Sequence, residues 1–160
     1  MSSKRRRRHP ARHRCWRACV AALALTGCSE QRHLAPLPSP PSVVNVKMYE
    51  YRFDHRQTIP TGRAIFRVAN AGTVGHELLL VRLPEGLAGT LDEQLRSSHR
   101  RPVETVAMLP VDGPGQRTTF AADLAPGHYG LICYLRGDDD VTHALKGMNS
   151  DLYVRERPKN

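Results

Sequence analysis

Between residues 43 and 155 the chain runs on a two-residue apolar period that turns break repeatedly, and that period restricts it to short strands. In the run 63–70, Ala64, Phe66 and Val68 fall on one side and Arg63 and Arg67 on the other, as a half-buried antiparallel strand requires. Earlier, Val44, Val46 and Met48 alternate with Val43, Asn45, Lys47 and Tyr49. The phase slips near Glu50, so that Tyr51 and Phe53 continue on one face, which predicts a β-bulge there. Further strands are predicted over 76–83, 117–124, 128–134 and 151–155; in the third of these Tyr129, Leu131 and Cys133 share a face directed to the interior. Turn chemistry separates the runs at Pro60-Thr61-Gly62, Asn70-Ala71-Gly72-Thr73, Val111-Asp112-Gly113-Pro114-Gly115 and Ala125-Pro126-Gly127.

One stretch, 84–102, departs from the pattern. Thr90-Leu91-Asp92-Glu93 has the form of a capping box, Leu91 and Leu95 make an apolar i, i+4 pair, and Pro102 closes the segment. These features predict a short inserted helix over 91–99, with His99-Arg100-Arg101 as its solvated end. About seven short strands with frequent turns and a single helix define an all-β sandwich.

The formal charge of +9 would point to a nucleic-acid or membrane partner if it were spread along the chain. Eight of the 24 Lys and Arg instead precede residue 18 with no acid among them, which leaves sixteen basic against fifteen acidic side chains beyond. A nearly neutral body removes the case for nucleic-acid binding. The basic cluster is followed by the apolar stretch 18–25 and then Thr26-Gly27-Cys28, the layout of an export signal. That stretch is about half the roughly 20 residues a membrane-spanning helix needs. Residues 1–27 therefore read as a signal peptide, and Leu25-Thr26-Gly27-Cys28 resembles the lipobox of bacterial lipoproteins, in which cleavage leaves the cysteine as a lipid-modified N-terminus. Cys28 is then the lipidation site, and the protein is expected to be exported and lipid-anchored at the cell envelope, on its periplasmic or extracytoplasmic face. Residues 28–42, with four prolines, form a semi-rigid tether. The folded domain spans 43–154, and 155–160 is a polar tail.

Export also simplifies the cysteines. Cys15 and Cys19 leave with the signal and Cys28 takes the lipid, so Cys133 is the lone thiol of the body and has no intramolecular disulfide partner. It ends a strand and precedes a polar loop carrying His143 and Met148, while His76 stands at the mouth of a separate strand. Two imidazoles, a thiolate and a thioether are the ligand set of a type 1 blue-copper site. Thiolate is soft and suits Cu(I), imidazole suits both oxidation states, and a weak axial thioether forces neither geometry. Asp138-Asp139-Asp140 lacks the alternate carboxylates and terminal Glu of a calcium loop and reads as a solvated turn.

Together, Asn70-Ala71-Gly72 leading to His76, the run from Leu124 to Cys133, His143, and Gly147-Met148 before a closing strand resemble the cupredoxins, the family of plastocyanin and azurin. The resemblance covers 43–154. It implies a Greek-key β-sandwich of seven to eight strands and one mononuclear copper, Cu(I)/Cu(II), that shuttles electrons. It also implies His76, Cys133 and His143 as equatorial ligands and Met148 as the axial one. The four residues between His143 and Met148 fit the plastocyanin-like pattern. Two features depart from the family. Nine residues separate Cys133 from His143, where small cupredoxins place only a few, and Glu77 follows the first histidine, where the family commonly has an Asn that ties the ligand loops together. Asn70 and Glu77 are accordingly candidates for supporting contacts behind the ligands.

The implied function is electron transfer by a monomeric, membrane-tethered carrier with a redox partner protein and no enzymatic role. The same residues would serve copper storage or delivery. A metal-free sandwich acting as a binding module of the cell envelope would instead make Cys133 a buried thiol, His143 a solvated loop residue and Met148 a packing side chain. A catalytic role has no support: the sequence holds no Ser-His-Asp pattern, no phosphate-cradling glycine loop and no second cluster of histidines.

Overall fold

Strand β1 (Ser42–Tyr49) turns Val44, Val46 and Met48 inward, each at most 1% exposed, and sends Asn45 and Lys47 to solvent. These positions belong to a computed structural model that describes residues 39–158. The signal peptide, Cys28 and most of the linker lie outside the described residues, as does the end of the polar tail. At Glu50 the chain reverses where a bulge was expected. Strand β2 (Arg52–Asp54) folds back antiparallel on β1 with Met48 opposite Phe53. Directly paired residues share a sheet face, so both side chains reach the core and the alternation slips by way of the turn.

The remaining elements are β3 (Thr58–Pro60), β4 (Gly62–Asn70), β5 (His76–Arg82), α1 (Leu91–Arg96), β6 (Glu104–Asp112), β7 (Arg117–Leu124), β8 (Gly127–Ile132) and β9 (Asn149–Arg155). They form a four-stranded sheet in the order β2-β1-β4-β7 and a five-stranded sheet in the order β3-β9-β8-β5-β6. Parallel pairing of β1 with β4 and of β3 with β9 makes both sheets mixed. The described residues thus hold nine strands against the seven to eight expected. Two of them, β2 and β3, are only three residues long, too short to display a period. Strand β6 also escaped the sequence reading, because Pro110 and the 64%-exposed Met108 blur its alternation, and the turn cluster begins at Gly113 rather than Val111.

The core lies between the sheets. Val44, Val46, Met48, Ala64, Phe66 and Val68 on one side meet Leu78, Leu80, Tyr129, Leu131 and Leu152 on the other. Burial at about 25 cal/mol per Å² of apolar surface is what holds the two layers together. A second cluster covers the opposite face of the five-stranded sheet, where Leu91 and Leu95 of α1 pack on Val81, Leu83, Ile132 and Ala144. Helix α1 starts at the anticipated capping box, with Thr90 Oγ1 accepting Glu93 N–H and the Glu93 carboxylate accepting Thr90 N–H. It stops at Arg96, short of His99, where Ser97 Oγ accepts His99 N–H and a local turn replaces the next helical bond. Gly130 on β8 allows the close approach: a Cβ there would stand 2.4 Å from Cδ2 of the fully buried Leu91.

Adjacent strands β5 and β8, paired at Leu79 and Ile132, carry inward side chains to one end of the sandwich. β1 and β4 reach the same end, where Ala71 N–H donates to Met48 C=O. The candidate ligands gather there.

Candidate metal centre

His76 begins β5 on the inward face with Leu78 and Leu80, and the β5–β6 register shifts between His76 and Leu78. A bulge at such a point re-aims the side chain beside it. Cys133 follows β8 directly and joins Tyr129 and Leu131 in the core, as its strand phase implied. Next to it the nine-residue span folds back as a small hairpin. Arg136 bridges Thr142, Gly137 N–H donates to Val141 C=O and His143 N–H donates to Leu135 C=O. His143 then opens a 3₁₀ turn, His143–Lys146, whose Ala144 N–H returns to Cys133 C=O at 2.8 Å. The long loop therefore brings His143 to the thiol. Its ring Nδ1 lies 3.5 Å from Cys133 Sγ, and its ring centroid is 5.3 Å from that of His76.

One nitrogen of each imidazole and the sulfur lie within 4.8 Å of one another, and the residues are 0% (His76), 0% (Cys133) and 4% (His143) exposed. That spacing is on the scale of two metal–ligand bonds of roughly 2.0–2.3 Å each. His143 is thus a buried residue and not a solvated one. Met148 is fully buried in the same core cluster as Cys133. Its N–H donates to His143 C=O at 2.8 Å and its C=O accepts Cys133 N–H at 3.1 Å, so three of the four candidate ligands are tied to one another through the backbone.

The protonation states suit a cation. Burial pushes the His76 imidazole below its ordinary range, and the neighbouring His143 adds to the effect while Glu50 opposes it. Burial likewise lowers His143, followed by the charge of Lys146. Burial raises the Cys133 thiol, against which the backbone N–H groups of Glu77 and Leu135 favour the thiolate. Both imidazoles are accordingly neutral with lone pairs available, and the thiol waits for a cation to displace its proton. Neither His76 nitrogen has a hydrogen-bond partner, although both are buried. An unpaired buried polar atom costs on the order of 1–3 kcal/mol, so two on one ring mark a site shaped for something that takes a lone pair. Two imidazoles, a thiolate and a nearby thioether fit one copper ion.

Both supporting candidates make specific contacts. Asn70 is 1% exposed; its Nδ2 donates to the carbonyls of Val74 and Asp112, both at 2.8 Å, and its Oδ1 accepts Gly72 N–H. It fixes the β4–β5 loop that leads to His76. Glu77 Oε1 accepts Tyr134 N–H at 2.8 Å, which ties the residue after His76 to the residue after Cys133. The aspartates serve the loop itself, Asp139 pairing with Lys146 at 2.7 Å and Asp140 with Arg136 at 3.1 Å.

Glu50 and Tyr51 were not foreseen. Tyr51 lies over His143, with centroids 4.7 Å apart, and Lys146 lies over Tyr51. Glu50 Oε1 is 3.6 Å from His76 Nε2. Its carboxyl is held down at about 2, chiefly by the Thr73 N–H that donates to it. Neither residue belongs to a motif, because both meet the site through the β1–β2 reversal.

No family model and no curated protein matches the chain. Solved structures do. Reduced auracyanin from the photosynthetic bacterium Roseiflexus castenholzii superposes over 73% of this chain and 99% of its own, at 22% identity and a TM-score of 0.52. Auracyanin A of Chloroflexus aurantiacus, a "blue" copper protein, covers 72% and 100% at 19% identity and a TM-score of 0.48. Rusticyanin of Thiobacillus ferrooxidans covers 72% and 79% at 17% identity and 0.47. The fold of the described domain is that of the cupredoxins.

Proposed function

We propose that this protein carries single electrons on one mononuclear type 1 copper and is held at a membrane by lipid on Cys28. The observation that carries the copper reading is the convergence of His76, Cys133 and His143, all buried, at one end of a cupredoxin-like sandwich. Bound copper supplies the one-electron Cu(I)/Cu(II) couple. His76 and His143 would hold it as neutral imidazoles, Cys133 as a thiolate and Met148 as a weaker thioether donor. The N–H groups of Glu77 and Leu135 directed at the sulfur stabilise the thiolate. The Glu77–Tyr134 contact keeps the two ligand-bearing segments in fixed relation, so little rearranges on electron transfer.

Burial of all three donors keeps water out and favours retention of the ion, which supports a carrier over a protein that hands copper on. Residues 39–42 join the domain at the far end of β1 from the centre, about 25 Å away for eight residues at roughly 3.3 Å each. A monomer tethered through that end carries its metal on the side facing a redox partner protein.

Adding Cu(II) to the mature chain is expected to produce an intense visible thiolate-to-copper absorption that Cys133→Ser abolishes; a colourless complex overturns the copper reading. A reversible reduction potential with fast electron self-exchange supports the carrier, whereas ready transfer of the ion to an acceptor protein overturns it. For the anchor, wild-type protein is expected in the membrane fraction and Cys28→Ala outside it.

A further inference from the structure

Glu50 stands behind His76. Its Oε1 accepts the Thr73 N–H, the Val74 N–H at 3.0 Å and the Thr73 hydroxyl at 3.2 Å, all on the loop that delivers His76. The same oxygen is 3.6 Å from His76 Nε2. The loop is shaped around this carboxylate, because a Cβ at Gly72 would lie 2.5 Å from Oε1 and 2.9 Å from Cδ and Oε2. Three donors and a glycine therefore hold an anion beside a fully buried imidazole whose nitrogens have no hydrogen-bond partner.

A neutral imidazole that coordinates through one nitrogen carries its proton on the other. With Nε2 turned toward Glu50, Nδ1 is the nitrogen left for a metal. We propose that Glu50 is a positioning residue for the metal centre, its carboxylate taking the Nε2–H of His76 so that Nδ1 is fixed as the donor and made a stronger ligand. The inference rests on the copper reading above. At 3.6 Å the two atoms stand just beyond hydrogen-bond range, and a movement of roughly 0.6 Å brings them to ordinary hydrogen-bond length. An anion hydrogen-bonded behind a ligand stabilises the more highly charged metal, so Glu50 raises affinity for Cu(II) more than affinity for Cu(I) and lowers the reduction potential.

Glu50→Gln separates this role from a purely structural one, since the amide oxygen still accepts the Thr73 and Val74 N–H groups while the charge is gone. In the copper-loaded mature chain, Glu50→Gln is expected to raise the reduction potential and weaken Cu(II) binding on the order of tenfold, with a smaller change for Cu(I). Gly72→Ala, which crowds the carboxylate out of place, is expected to move the potential in the same direction. Nitrogen NMR of the metal-free chain supplies a readout without copper: His76 is expected as the Nε2–H tautomer in wild type and as a tautomer mixture in Glu50→Gln. A folded Glu50→Gln protein with wild-type potential, Cu(II) affinity and tautomer overturns the proposal. A wild-type chain that shows no thiolate-to-copper band overturns the copper reading instead, and the metal-free tautomer then decides the Glu50–His76 contact alone.

Discussion

His76 and the segment from Cys133 to Met148 reach the metal centre by different means. The loop before His76 is set by side chains: Asn70 spans Val74, Asp112 and Gly72, and Glu50 gathers Thr73 and Val74. The later segment is set by its own backbone, in which Cys133, His143, Ala144 and Met148 exchange N–H···O=C bonds of 2.7–3.1 Å with one another and with Leu135. A backbone lattice follows from the path of the chain and tolerates changes in most side chains. A side-chain lattice fails when one buried polar residue is lost. Sensitivity to substitution should therefore be concentrated in the His76 arm.

Metal binding gives the largest expected effect, because one ion clamps both arms. Copper at a thousand times its Kd should raise the unfolding free energy by about 4 kcal/mol at neutral pH. Protons oppose it. Burial lowers His76 and His143 in the folded chain, and His55 as well. A histidine whose folded pKa is depressed contributes stability that is complete above the ordinary value of about 6.5 and is lost as pH falls below it. The metal-free chain should thus show a falling urea midpoint from pH 7 to pH 5, and His76→Gln or His143→Gln should each flatten the fall. A midpoint independent of pH over that range would show that neither arm holds its imidazole neutral.

Asn70→Ala comes next. It strips hydrogen bonds from Val74 C=O, Asp112 C=O and Gly72 N–H around a side chain only 1% exposed, at an expected cost of about 3 kcal/mol in chemical denaturation. Copper affinity should fall with it, because His76 sits at the end of the loop that Asn70 fixes. Glu77→Ala removes one contact between the arms, the 2.8 Å bond to Tyr134 N–H, and should cost about 1 kcal/mol, while Glu77→Gln keeps an acceptor and most of the stability. Faster loss of copper from Glu77→Ala than from Glu77→Gln would locate its effect in that bond.

The same contrast explains what could be read before folding. The ligands of the backbone-held segment lie close together in sequence, and the strand phase alone turned Cys133 inward with Tyr129 and Leu131. Strands with clean alternation, β4 and β7, were legible for the same reason: their information is local. The His76 arm draws on contacts between residues 50 and 73–74 and between 70 and 112, which no periodicity encodes. Glu50 looked like a slip in a strand because the reversal into β2 is made by tertiary pairing, and three-residue strands carry too little pattern to register. The nine-residue span between Cys133 and His143 folds as a hairpin that adds chain without moving His143 away from the thiol.

The smallest effect is expected within the backbone-held arm, and its smallness is the test. Asp139 pairs with Lys146 at 2.7 Å, and Lys146 in turn lies over Tyr51, which covers His143. If side chains positioned this arm, Asp139→Asn would loosen Lys146 and Tyr51 and alter the surroundings of the ligand. The Asp139 carboxylate is exposed, however, and ion pairs made at the surface contribute little. The amide that this substitution introduces also keeps an oxygen for the Val141 N–H, which donates to Asp139 Oδ1 at 3.2 Å. Asp139→Asn should therefore leave the visible absorption, the reduction potential and the unfolding midpoint within error of wild type. A displaced absorption band in this variant would show that the loop relies on its side chains as the His76 arm does, and the contrast between the two arms would fall.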